Sequence, residues 1–149
     1  MVREWTRGEY TISTDRRRLD IDVIHGFLTA SYWATGRSRK RVAQSIEHSL
    51  PFGLYHRERQ VGFARVVTDY VVLAFLADVF VIEPYRGRGL GQWLVEVVTT
   101  LPELRDVRRW LLGTRDAHGL YRGFGFVDPK PNVLMERINA DSDRVSSDA

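Results

Sequence analysis

The period of apolar positions changes repeatedly along the chain, and each change marks an element. Residues 9–15, "EYTISTD", alternate Tyr10 and Ile12 with polar neighbours, as a half-buried strand does. Asp20 stands where a helix cap belongs, and the residues after it, through about Ser31, put Ile21, Ile24, Phe27 and Leu28 on a broad apolar face. The aromatic loop "YWATGRS" leads into a second helix over 39–50, with Val42, Ala43, Ile46 and Leu50 in step and Pro51 to stop it. Two strands follow at 52–57 and 60–69, joined by the polar turn "RERQ".

A long apolar run, 71–82, predicts a strand that ends at Glu83-Pro84. Beyond it Leu90, Trp93, Leu94, Val97, Val98 and Leu101 recur at i, i+3, i+4, i+7, i+8 and i+11, the clearest helical period in the chain. Pro102 ends that helix, 107–114 reads as a strand, 116–123 as a short helix, and 124–138 as a last strand or two. The expected order is β α α β β β α β α β β within one domain, 1–139, followed by a polar tail, 140–149, expected to be disordered. The strand–helix–strand unit around Leu90 requires parallel strands and a right-handed crossover. The earlier strands, joined by short turns, should be antiparallel. The fold class is therefore mixed α/β (α+β), with helices on both faces of a mixed sheet.

The chain's 149 residues suffice for one domain with a real core and are too few for two ordinary ones. The first ten residues are charged and lack the apolar stretch of a signal peptide, and 71–82, broken by Asp78, is too short to span a bilayer. A cytoplasmic protein without membrane contact is the expectation. There are no cysteines, which removes disulfides, thiolate nucleophiles and thiolate metal ligands. His25, His48, His56 and His118 show no metal-ligand spacing, so no metal is expected, and His118 reads as a surface helix position. Net charge is +3, and 20 of the 22 basic residues are Arg, since only Lys40 and Lys130 are lysines. Arginine suits phosphate contact. Acidic residues are interspersed with it, however, so a solvated surface is preferred over nucleic-acid binding.

The turn between the long strand and the Leu90 helix, "EPYRGRGLGQ", carries the chemistry. Amides at a helix N-terminus lack intrahelical partners and the macrodipole adds positive charge there, so such a turn receives anions. Glycines bare the backbone, and Arg86 and Arg88 add charge. A dinucleotide fingerprint would need a third Gly where Gln92 stands, and the G-K-[ST] of a Walker loop is absent. A tight turn that only permits packing would leave the arginines unexplained.

Arg86-x-x-Gly89-x-Gly91 resembles the R/Q-x-x-G-x-G/A signature of the GNAT superfamily of N-acetyltransferases. "DAHGLYRGFGF", with Ala117, Leu120, Tyr121, Gly125 and Phe126, resembles that family's A-x-x-L-Y-x-x-x-G-F block at the right distance. The element order agrees over most of Glu9 to Ile138. The resemblance implies a GNAT-like, mostly antiparallel sheet with one splayed parallel pair. It implies acetyl-CoA as co-substrate, its pyrophosphate on Arg86, Gly87, Arg88, Gly89, Leu90, Gly91 and Gln92, and its pantetheine arm on the backbone of Phe80, Val81 and Ile82. Thr114 stands where some members have an Asn, and can still donate a hydrogen bond.

The reaction so implied is direct attack by an amine in a ternary complex. With a pKa near ~10.4, about one lysine-like amine in 2,500 is neutral at pH 7, worth about 4.6 kcal/mol of barrier. Tyr121 is implied as the acid for the departing thiolate; the alternative is an aromatic packed against the cofactor. Asp78 is a candidate base, a ligand for the acceptor's ammonium group, or the partner of an arginine such as Arg65. Some members carry a carboxylate base on the strand before the Tyr block, but "RRWLLGT" has none. Tyr32, Trp33 and Arg65 are expected at an aromatic-lined pocket for a small primary amine, with an Arg available to a carboxylate on it. The first two helices, their loop and a late hairpin would form its walls. A peptide or protein amine, or a non-catalytic acetyl-CoA-binding module, remains as an alternative, and a homodimer stays open.

Overall fold

In the computed structural model, which describes residues 1–139, six strands form one sheet in the order β1-β2-β3-β4-β5-β6. The tail 140–149, expected to be disordered, lies outside the described residues. β1 (Glu4–Arg7) and β2 (Tyr10–Ser13) make a hairpin around Gly8, whose φ of 56° favours glycine. After α1 (Ile21–Ala30) and α2 (Arg39–Glu47), β3 (Leu50–His56), β4 (Arg59–Thr68) and β5 (Leu73–Val81) continue the sheet antiparallel. α3 (Leu90–Thr99) then crosses over to β6 (Arg109–Leu111), which runs parallel to β5, and α4 (His118–Arg122) follows.

The caps lie where the side chains dictate. The Asp20 carboxylate accepts the N–H groups of Asp22 and Val23, at 3.1 and 3.3 Å, and Ser38 Oγ accepts that of Arg41 at 3.2 Å. Helices cover both faces. Trp93, Leu94, Val97 and Val98 of α3 pack on Ile12, Phe52, Leu54, Ala64, Val66, Ala74 and Leu76. On the opposite side Ile24 and Leu28 of α1, with Val42 and Ile46 of α2, pack on Phe63 and Phe80.

Three departures from the sequence reading matter. The N-terminal strand was not anticipated; "EWTR" is polar, and its pairing with β2 defines it. The second helix stops at Glu47, and Pro51 lies inside β3. β2 pairs with β3 only as far as Gly53, so Pro51 sits where one side of the strand is unpaired and its missing N–H is tolerated. No strand follows Leu111 among the described residues: 127–139 is irregular, and Val133, Leu134, Met135 and Ile138 are exposed. The late strand or strands expected in 124–138, and the hairpin wall built on them, are corrected accordingly; β6 is three residues long and offers little edge to pair with.

Two irregularities of β5 shape the site. Opposite Ala64 the register slips: Phe63 faces Phe80 and Arg65 faces Ala77, so Asp78 and Val79 together oppose one residue. This is a β-bulge, with Asp78 at φ 56°. Its effect is a change of phase. Leu76 and Val79 both pack toward α3 although they stand an odd three positions apart, while Phe80 faces α1 and α2. Second, β6 pairs with β5 only from Leu73 to Phe75, so the two parallel strands part beyond Phe75 and Leu111, and among the described residues the rest of β5 pairs with β4 alone.

Candidate active site

The glycine turn sits at the open end of β5. A short 3₁₀ turn, Glu83–Tyr85, precedes it, and Gly87 and Gly89 take φ values of 78° and 75°. A Cβ on either would meet nothing within 4 Å, so backbone conformation, and not crowding, is what calls for glycine there. Gly89 caps α3 without a side-chain hydrogen bond, which leaves the first-turn amides pointing outward. Arg86, Gly87, Arg88 and Gln92 are exposed, Gly91 is half-buried and Leu90 is buried.

Of the three β5-end residues, one directs its backbone to the open side. Ile82 N–H donates to Val61 C=O at 2.9 Å, and the alternation of the strand turns Phe80 the same way, toward β4. Val81 faces the gap, and its C=O accepts from Arg86 Nε at 2.8 Å. Arg86 thus ties the turn to the strand edge.

A cluster outside the sequence reading props the turn from behind. His56 Nε2 lies 2.7 Å from Glu9 Oε2, and its Nδ1 lies 3.1 Å from the Tyr85 hydroxyl. Tyr10 stacks on the imidazole at 4.9 Å, and the Arg88 guanidinium lies 6.0 Å from the Tyr85 ring centre. Arg57, and then His56, hold the exposed Glu9 carboxyl at about 2. No local pattern announces these partners, which sit on β3 and the β1–β2 turn.

Asp78 lies on the floor of a cavity of about 780 Å³ bordered by Tyr32, Trp33, Arg37, Arg65, Val79 and Tyr121. Its side chain is 2% exposed. Trp33 Nε1 donates to Oδ1 at 2.9 Å, and Arg37 Nη1 and Arg65 Nε donate to Oδ2 at 2.9 and 2.6 Å. Arg65 Nη1 also donates to Ser49 Oγ at 3.0 Å. Of the three expectations for this residue, the geometry realises the pairing with Arg65. Arg37 and Ser49 went unseen in the sequence, because only tertiary packing brings them to the strand.

The loop between α1 and α2 forms one wall of the cavity. The Tyr32 hydroxyl accepts the Arg115 N–H at 3.0 Å, and the Arg115 guanidinium lies 3.8 Å from the Tyr32 ring centre. Trp33, 39% exposed, borders the cavity and does not close over the core. A second cavity of about 690 Å³ lies on the far side of 112–114, with exposed His118 on its rim. Phe75, Leu112, Gly113, Thr114 and Tyr121 border both, so the cavities meet where β5 and β6 part. Thr114 Oγ1 accepts the Ala117 N–H at 3.0 Å, which leaves its own O–H to donate. The Tyr121 ring is 8% exposed and meets Phe126 edge to face at 5.9 Å. Burial, then the charges of Tyr32 and Asp116, push its phenol up to about 12. Tyr121 is therefore protonated throughout the neutral range.

A strand splayed from its parallel neighbour, a glycine turn at its end and a Tyr at the mouth of the gap coincide with a family-wide match: the model of the Acetyltransferase (GNAT) family fits residues 2–126. The chain belongs to the GNAT acetyltransferase family. A crystal structure of a Xanthomonas campestris protein described as belonging to the same family shares 45% identity, covers 87% of this chain and 92% of that one, and superposes with a TM-score of 0.84. A Gibberella zeae protein assigned by name to the acetyltransferases is 29% identical over 83% of this chain and 82% of its own length. The Escherichia coli ribosomal-protein-S18-alanine N-acetyltransferase is 26% identical, covers 81% of this chain and 79% of that one, and has a TM-score of 0.67. For this GNAT protein the described residues contain no group of three or more His, Asp or Glu side chains that could hold a metal ion. None of its described helices is long and apolar enough to cross a membrane.

Proposed function

We propose that this GNAT protein transfers the acetyl group of acetyl-CoA to a primary amine of a small molecule, by direct attack in a ternary complex. The observation that carries the reading is the position of Tyr121, at the junction of two cavities on the open side of β5. The free first-turn amides of α3, with Arg86 and Arg88, suit a pyrophosphate. The Val81 backbone and the gap beyond Phe75 suit an extended arm that pairs with a strand edge. Acetyl-CoA held by these residues would supply the thioester, with Val79 and Tyr121 of this chain lining the cavity it would enter.

The residues of this chain then divide the work. Tyr121, held protonated, donates to the thiolate as it departs. Its phenol near 12 is less acidic than an ordinary thiol near ~8.5, so a donated hydrogen bond contributes more than full proton transfer. Asp78 accepts from three donors on its two oxygens and orients Trp33 and Arg37, so this reading gives it no role as a base. The ammonium proton of the acceptor leaves to water in the cavity. A backbone N–H on the open side of β5 stands ready for the developing oxyanion.

The position of Tyr32 and Trp33 on the border of the cavity supports a small acceptor. Likeness to the S18-alanine N-acetyltransferase favours a peptide N-terminus as the second reading. An amine and peptide panel, incubated with acetyl-CoA and read as free thiol, separates the two. Tight acetyl-CoA binding with no turnover of any acceptor would refute both in favour of a binding module.

A further inference from the structure

The cavity floor is out of charge balance. One carboxylate, Asp78, serves two guanidinium groups, Arg37 and Arg65, whose side chains are 21% and 14% exposed. Each guanidinium carries five N–H donors. Arg65 places one on Asp78 and one on Ser49, and Arg37 places one on Asp78. Among the described residues neither arginine has another acidic partner. Asp116 and Glu136 also border the cavity, but both are exposed on its rim, as is Arg115. Solvent screens charges in such positions. The floor therefore keeps one positive charge in excess, half-buried beside Trp33, Leu76 and Leu112, where an unpaired charge is costly.

We propose that Arg37 and Arg65 read a carboxylate on the acceptor, so that the substrate is an amine of the amino-acid type, its amine toward Tyr121 and its carboxylate on the two guanidinium groups. The proposal rests on the acetyl-transfer reading of this cavity. The cofactor's phosphates do not satisfy the excess charge. Asp78 lies three positions before Val81, a rise of up to about 10 Å, and the glycine turn lies beyond that. Arginine is suited to the task because its planar fork accepts both oxygens of a carboxylate. The bulge at Asp78 explains why the surplus faces the cavity: one buried anion recruits both arginines to its floor, and among the described residues no second carboxylate takes their remaining donors.

The test uses the full chain and matched acceptors: the common amino acids, their carboxamides and the parent amines without the carboxylate. Free-thiol release from acetyl-CoA gives kcat/KM, and the thermal shift of the CoA-saturated protein reports acceptor binding independently of turnover. The expected result is a preference for carboxylates over carboxamides of roughly 10- to 100-fold, reduced to within about threefold by Arg37→Gln and partly restored by Arg37→Lys. Equal rates for the three forms, or a preference untouched by Arg37→Gln, would overturn the proposal while acetyl transfer stood. Arg37-dependent thermal shifts by amino acids without turnover would show that the two guanidinium groups bind a carboxylate, but would sink the acetyl-transfer reading and, with it, the assignment of that carboxylate to an acceptor. An absence of both turnover and thermal shift overturns the proposal.

Discussion

Replacing Asp78 with Asn tests whether this residue is structural or catalytic. Asn tolerates the left-handed backbone at φ 56° about as well as Asp, so the change removes charge without adding strain. The Asn carbonyl can still accept from Trp33 Nε1, but its amide then faces Arg37 and Arg65, donor against donor. Removing one partner of a buried pair costs about 3–5 kcal/mol. Both arginines keep some access to water, which places the expected loss at the lower end, about 3 kcal/mol. An unfolding entropy of about 2.1 cal/mol/K per residue gives about 0.3 kcal/mol/K for 149 residues, hence a fall in Tm of about 10 °C. Calorimetry, with urea unfolding to verify an unchanged m-value, measures it. A fall below about 2 °C would show that the arginines do not need this carboxylate. Loss of a general base would instead lower kcat by about 10²–10⁴-fold and abolish the acidic limb of the rate profile. The structural role predicts a fall in kcat of less than about tenfold and an acidic limb that persists, since it belongs to the acceptor's ammonium group.

Tyr121→Phe should lower kcat by about 10²-fold or more, the loss lying in kcat and not in acetyl-CoA binding. Burial pushes the phenol up to about 12, so it titrates only well above neutrality, and wild-type activity should show no falling limb from it below about pH 11; a limb near pH 10 that Tyr121→Phe removes would contradict the buried environment. Arg86→Gln should raise the Kd for acetyl-CoA about tenfold, measured by titration calorimetry, because it removes a charge from the turn and the donor on Val81 C=O. Gly62→Ala should destabilise by about 1–3 kcal/mol, because the new methyl would lie 2.8 Å from the Phe80 carbonyl oxygen, a backbone atom that cannot yield without moving β5; an unchanged Tm would refute that crowding.

The β5–α3–β6 crossover was legible because each part carries its own signal: an apolar run, positive-φ glycines at the turn and six apolar residues in helical step. Tyr121 and the turn could be placed together because two spaced motifs resemble one family. The bulge escaped, since 71–82 reads as one apolar run and a single Asp does not say that the strand changes phase there. Arg37 escaped for another reason. Arg37 opens the basic run "RSRKR", in which nothing sets it apart from its neighbours, and the carboxylate that recruits it lies 41 residues away. The expected late strand shows the converse. Residues 124–138 have suitable apolar content, but a strand exists only where an edge accepts it, and β6 ends at Leu111.

These observations divide the groove along β5. At its far end Arg86 joins the glycine turn to the Val81 carbonyl, where the proposed function seats the phosphates of acetyl-CoA. At the bulge, about 10 Å back along the strand, Asp78 joins Trp33 and Arg37 of the α1–α2 loop to Arg65 of β4. The residue that resets the strand's phase is thus also the one that holds the wall proposed for the acceptor. Substitution at Asp78 should therefore couple stability to acceptor choice, whereas substitution at Arg86 should leave acceptor choice alone. Selectivity that shifted with Arg86→Gln would mean that the two halves of the groove communicate through β5.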